Sequence, residues 1–168
     1  EENIHAFYSS LEQRFKRFTL QAGLRYEYTA YNANQLGNAL KDDSSFSKKY
    51  SGLFPSGYIS FQADSSNAIT LTAGRRIDRP AYQKLNPFVF IINKYTYQTG
   101  NPFLLPQYSW NIELGHQYKN FLTTAISYSI IKNYFTQLFL TNNNGILLYS
   151  EGNIEQAINL GVSVTVQA

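Results

Sequence analysis

The sequence predicts an all-β protein whose antiparallel strands cross a membrane as part of a barrel. Three observations predict it. Apolar and polar residues alternate over runs of ten or more positions, aromatic residues gather at the ends of the apolar phase, and short connections alternate with long ones. Consecutive strand side chains point to opposite faces, so such runs give one apolar and one polar face. A tilted strand of about 9–11 residues is enough to cross a bilayer.

Composition agrees. Of 168 residues, 43% are hydrophobic and 15% charged, with 14 Tyr, 12 Phe and one Trp. Disorder is excluded, because it needs few aromatics and high net charge. The absence of Cys removes disulfide scaffolds, Cys-based zinc sites and thiol catalysis. A net charge of +3 is spread along the chain, and the densest basic stretch, Arg14, Lys16 and Arg17, has Glu12 beside it. Nucleic acid is therefore not an expected partner. No apolar run of about 18 residues exists, so no transmembrane helix is expected. Glu1 and Glu2 stand where a leader would begin, which suggests a processed end or a cut inside a longer protein.

Seven strands are expected: 3–13, 17–30, 56–64, 68–78, 107–119, 121–140 and 145–167. The first is the least regular, since Ala6 and Tyr8 oppose His5 and Phe7, and its lipid face is undecided. In the second, Phe18, Leu20, Ala22, Leu24, Tyr26 and Tyr28 oppose Thr19, Gln21, Gly23, Arg25, Glu27 and Thr29. The third sets Ile59 and Phe61 against Ser60 and Gln62. The fourth sets Ile69, Leu71 and Ala73 against Thr70, Thr72 and Gly74. The fifth sets Tyr108, Trp110, Ile112, Leu114, His116 and Tyr118 against Ser109, Asn111, Glu113, Gly115, Gln117 and Lys119. The sixth is too long for the membrane alone and should project outward with residues 146–150. The seventh alternates from Ile158 to Val166. Aromatics at both ends of an apolar centre match the two interfacial girdles of a membrane barrel.

Residues 13–17, 64–67 and 119–120 read as tight turns, and 31–54 and 79–106 as long connections. Tight turns on one side and long loops on the other suit an outer-membrane barrel. The second long loop is stiffened by Pro80, Pro87, Pro102 and Pro106, which fix φ and withhold N–H donors. Asn142-Asn143-Asn144-Gly145 suits a hairpin turn, and Asp42 and Asp43 read as solvated loop charge. Seven is an awkward number, since single-chain bacterial barrels almost always have an even count from 8 upward, and an open sheet would leave two edges unpaired in lipid. Residues 1–168 are therefore expected to be an internal piece of a larger barrel domain, with no plug segment.

The loop at 75–88 reads Arg-Arg-Ile-Asp-Arg-Pro-Ala-Tyr-Gln-Lys-Leu-Asn-Pro-Phe. Gly-Asn-Pro-Phe-Leu-Leu-Pro follows at 100–106, then Tyr108-Ser109 and Asn111-x-Glu113. With Gly23-Leu24-Arg25-Tyr26-Glu27-Tyr28-Thr29 and Leu53-Phe54-Pro55, these motifs resemble TonB-dependent outer-membrane receptors. Among those, the likeness is to the Bacteroidetes-type outer membrane protein beta-barrel family. Leu105 and Gln107 depart from the Lys and Glu often found there. The resemblance implies a 22-stranded barrel with a plug inside, in the outer membrane of a Gram-negative bacterium. It also implies uptake of a large or scarce solute, driven by contact of the parent protein with TonB. Expected partners are outer-membrane lipid, the remaining strands, the plug and a surface lipoprotein.

No catalytic constellation is present, and neither enzyme activity, a cofactor nor a metal is expected. His5 and His116 are far apart, and His116 lies in the apolar phase beside Tyr118. Arg25 with Glu27, and Arg76 with Asp78, read as mutually neutralising pairs. Gly23, Gly74, Gly115 and Gly161 read as crowded or kinked strand positions. Should a solute touch this region, the candidates are Arg25, Glu27, Arg76, Asn111 and Glu113 in the lumen, and Tyr82, Tyr95 and Tyr97 in the loops. Two alternatives are a non-transporting scaffold barrel and a soluble carbohydrate-binding β-sandwich.

Overall fold

Lys16 and Lys119 turn the chain back on itself with φ of 44° and 48°, and long strands pair outward from each turn. The computed structural model describes residues 2–35, 44–141 and 145–167. These contain β1 (Glu2–Phe15), β2 (Phe18–Gln35), β3 (Ser44–Gln62), β4 (Asn67–Asp78) and the short helix α1 (Tyr82–Leu85). Then follow β5 (Val89–Asn93), β6 (Thr96–Thr99), β7 (Gln107–Tyr118), β8 (Leu122–Thr141) and β9 (Leu147–Val166). All strands join one nine-stranded sheet in the order β1-β2-β3-β4-β7-β8-β9-β6-β5. Neighbours are antiparallel except β6 and β9, which run parallel.

The seven expected strands are present, with two differences. The connection expected at 31–54 is largely strand: the β2–β3 ladder continues through Tyr31↔Lys48 to Gln35↔Ser44. The loop at 79–106 holds α1 and the β5–β6 hairpin instead of being irregular throughout. As expected, β8 and β9 project outward together, paired up to Thr141↔Leu147. Asp42, Asp43 and Asn142–Asn144 lie outside the described residues. The turn after β3 is held by the Asp64 carboxylate, which accepts the N–H groups of Ser66 at 2.7 Å and Asn67 at 3.0 Å. Those bonds hold its carboxyl below the usual carboxylate range.

Register assigns the faces, because directly paired residues point the same way. One row runs Leu11, Ala22, Gly57, Ala73, Ile112, Tyr128, Leu160 across seven strands. The next runs Gln13, Leu20, Ile59, Leu71, Leu114, Ile126, Val162. On the opposite face the corresponding row is Ser10, Gly23, Ser56, Gly74, Asn111, Ser129, Asn159. Pairing also settles β1: Phe7, Leu11 and Phe15 share the apolar face through Tyr26, Ala22 and Phe18. Gly23, Gly115 and Gly161 are crowded, since an added Cβ would lie 2.6–2.7 Å from the hydroxyls of Ser56, Thr70 and Ser127. Gly74 stands where the β3–β4 ladder ends.

The apolar face is not packed against protein. Among the described hydrophobic residues only Phe54 and Leu104 are buried, while Leu160 and Val162 are 74% and 73% exposed. A sandwich would bury one face of each sheet in a shared core, so the sandwich alternative is overturned. A continuous exposed apolar band on single-layer strands is a lipid-facing surface. Its inner border carries Phe15, Phe18, Phe61 and Tyr118, with the Phe18 and Phe61 rings stacked at 4.6 Å. Its outer border carries Tyr26, Tyr28 and Trp110. His116 sits near the inner border, its Nε2 3.0 Å from Asn67 Oδ1.

Candidate functional site

Glu27 lies on the polar face of β2, level with the outer border of the membrane band, where burial would be costly for a lone carboxylate. It is buried and held between two guanidinium groups. Arg25 Nε lies 2.9 Å from Oε1 and Arg79 Nη2 lies 2.6 Å from Oε2. Arg79 also donates to Thr29 Oγ1 at 3.1 Å and Tyr50 Oη at 3.2 Å. Burial opposes the charge of Arg79, but its bonds to Glu27 and Tyr50 outweigh this and raise its pKa. Arg79 therefore fastens the start of the outer loop to the β2–β3 wall.

The loop is fastened elsewhere too. Lys48 donates to the carbonyls of Pro102 at 3.0 Å and Leu104 at 3.1 Å, and burial pushes its ammonium pKa down. Asn153 accepts from Leu105 N–H at 2.8 Å and donates to Leu105 O at 3.0 Å. Asn101 donates to Glu151 O at 3.0 Å, and Lys84 pairs with the Glu151 carboxylate at 2.8 Å. The loop thus ties β2 and β3 to β9 across the outer end of the wall. Both contacts at Leu105 use its backbone, so the departure from Lys there costs no tether. Gln107 donates to Asp78 at 3.0 Å and accepts from Phe135 N–H at 3.2 Å, a double role that Glu could not play beside Asp78.

Gly100 closes the loop's narrowest point. Its N–H donates to Asn86 O at 2.9 Å, and an added Cβ would stand 2.4 Å from that oxygen and 2.7 Å from Lys84 O. Both obstacles are backbone. Gly100→Ala should therefore open the loop at a cost of about 1–3 kcal/mol. Trypsin cleavage at Lys84 and Lys94 of the folded barrel should rise roughly tenfold or more.

Below the loop, a groove of about 500 Å³ opens on the polar face, lined by Arg25, Arg76, Tyr8, Tyr58, Gln21 and Ser56 among others. Such a volume is within the ordinary range for small-molecule sites. A separate cavity of about 180 Å³ lies between the loop and the wall, bordered by Arg79, Lys48, Tyr50, Tyr31 and Tyr82. It is below that range.

The eight candidate residues do not meet at one point. Arg25 and Arg76 share the groove. Asn111 stands one pair away from Arg76, donating to Ser109 at 3.1 Å, and Glu113 is exposed deeper in the polar phase. Tyr82 borders the smaller cavity, while Tyr95 and Tyr97 belong to the β5–β6 hairpin beyond β9. Glu27 is taken up by the two arginines. The expected Arg76–Asp78 pair is absent among the described residues, because Asp78 is turned to Gln107. Arg79, Thr29, Tyr50, Lys48 and Asn153 were not foreseen. The one available signal was Glu27 itself, an inward carboxylate in need of more than its neighbour.

The outer membrane protein beta-barrel family model matches residues 1–168. No curated protein sequence matches significantly. Among solved structures, a double mutant of the Serratia marcescens hemophore receptor HasR, bound to its hemophore HasA and heme, superposes with TM-score 0.74 at 16% identity. It covers 97% of this chain and 31% of its own. The siderophore receptor PirA of Pseudomonas aeruginosa gives 0.61 at 13% identity, covering 97% and 39%. The copper transporter OprC gives 0.64 at 12% identity, covering 99% and 27%. The chain thus spans about a third of the length of these barrels, and at such identity the likeness establishes the fold. These neighbours are two receptors and a transporter, and the matching family is one of outer-membrane barrels. The chain belongs to the outer membrane protein beta-barrel family.

Proposed function

We propose that the chain forms part of the wall of a TonB-dependent receptor that takes up a large or scarce solute. Residues 1–168 belong to its barrel domain, and the plug and TonB-contacting segment lie elsewhere in the same protein. The observation that carries this reading is the two-faced wall: an apolar band outside, and inside an open groove presenting Arg25 and Arg76 beneath a fastened loop. The edge of β1 away from β2 has no strand partner among the described residues. Unpaired backbone cannot remain in lipid, so further strands complete the barrel. Solute contact falls to Arg25, Arg76, Asn111 and Glu113 in the lumen and to Tyr82, Tyr95 and Tyr97 outside, where a surface lipoprotein would also dock. Glu27 is an anchor, not a solute contact.

The likeness to a hemophore receptor bound to its hemophore and heme, to a siderophore receptor and to a copper transporter supports this class. The test uses cells expressing the full-length parent protein, with and without TonB, supplied with ferric enterobactin, haem or Cu²⁺. Accumulation of one of them that needs both the receptor and TonB is expected. Accumulation of none, or uptake indifferent to TonB, would favour the scaffold reading instead.

A further inference from the structure

The β5–β6 hairpin belongs to neither the lipid face nor the lumen. β6 pairs in parallel with the outer end of β9, as Thr96↔Leu147, Tyr97↔Leu148 and Gln98↔Tyr149, and Leu147 N–H donates to Tyr95 O at 2.8 Å. It takes the edge of β9 opposite β8 over those residues alone. From Ser150 to Val166 that edge has no strand partner among the described residues. β5 becomes the margin of the sheet, and Val89, Phe90, Ile91 and Ile92, with Phe88 before them, are all exposed.

Lipid cannot cover this margin. Leu148 stands ten residues up β9 from Ile158, which is level with Ile130 and Trp110 at the outer girdle. At about 3.3 Å per residue, that is roughly 30 Å along the strand. An exposed apolar edge is normally blunted by charge, or is covered, and β5 carries no charged side chain. The wall already parts from the outer girdle upward elsewhere in the chain. The β3–β4 ladder stops at Ser56↔Gly74 while β3 extends back to Ser44. Arg75 fills that gap, donating to Leu53 O at 3.1 Å and lying over the Phe54 and Tyr108 rings.

We propose that the outer segment of the barrel strand following β9 covers β5. Its ladder with β9 ends near Ser150, where β6 takes the edge, and above that point it lies along the free edge of β5. The hairpin is thereby built into the barrel wall. The sheet itself points to this occupant, because β9, β6 and β5 continue in the direction in which the next strand must be added. The proposal rests on the reading that further strands complete the barrel.

The test labels Ile91→Cys and Phe103→Cys in the full-length parent protein, on intact cells, with a membrane-impermeant maleimide and no other accessible cysteine. Phe103 is 78% exposed and serves as the reference. Ile91→Cys should label at least tenfold more slowly than Phe103→Cys. Equal rates would overturn the proposal. So would protection seen only when a second outer-membrane protein is co-expressed, since the edge would then belong to that partner. Val89→Cys repeats the measurement should Ile91→Cys fail to assemble. The heat-modifiable folded band on the same gel reports barrel formation separately, so failure of the barrel reading and failure of the β5 assignment are distinguishable.

Discussion

Arginine at Leu114 or Val162 should block assembly of the barrel, whereas arginine at Asn111 or Ser163 should be tolerated. Leu114 and Val162 lie in one row, joined through Ile126, midway between Trp110 and Tyr118. Neither side chain is buried, Leu114 being 48% and Val162 73% exposed. A guanidinium at the bilayer midplane costs about 2–4 kcal/mol, a large fraction of the marginal stability of a folded domain. Asn111 and Ser163 point the other way, into the wet phase, where the added charge keeps its hydration. Heat-modifiable migration in gels reads the outcome directly. Equal loss of the folded band in all four variants would show that the two faces are not lipid and lumen.

Arg79→Ala should release the outer loop without unfolding the wall. The substitution removes the ion pair with Glu27 and the bonds to Thr29 and Tyr50, leaving Glu27 with Arg25 alone. Hydrogen bonds to charged groups contribute about 1.5–3 kcal/mol each in mutational series. Partial exposure and the surviving Arg25 contact reduce the net cost to about 2 kcal/mol. That corresponds to a rise of roughly 30-fold in the open population of the loop. Tryptic cleavage at Lys84 and Lys94 should increase accordingly, with the folded band retained. Combining the change with Asn153→Ala should be additive if the two tethers act independently. Unchanged cleavage in Arg79→Ala would show that the remaining tethers hold the loop unaided.

The membrane-crossing strands were legible because lipid on one side and water on the other impose strict alternation. β7 was expected at 107–119 and runs Gln107–Tyr118. Where that contrast vanishes, so does the signal. Tyr31–Gln35 and Ser44–Lys49 extend β2 and β3 beyond the bilayer, where polar residues occupy both phases and read as loop. β5 failed for the opposite reason, since Val89–Ile92 is an unbroken apolar run inside a proline-rich stretch. The site was legible only in part. Arg25 and Arg76 follow from strand phase, but the Glu27–Arg79 contact joins residues 52 apart, and no local pattern encodes it. Arg79 belongs to a motif whose prolines encode loop stiffness, and nothing in that motif encodes its partner on β2.

The two-faced wall is tested most directly by nitroxide labels at successive positions of β9, from Ile158 to Thr165, in the full-length protein reconstituted in bilayers. Collisions with oxygen, concentrated in lipid, and with a water-soluble nickel complex should alternate with period two. Ile158, Leu160, Val162 and Val164 should favour oxygen, and Asn159, Gly161, Ser163 and Thr165 should favour nickel. Uniform access of the nickel complex to both phases would contradict the assignment of lipid to one face and lumen to the other.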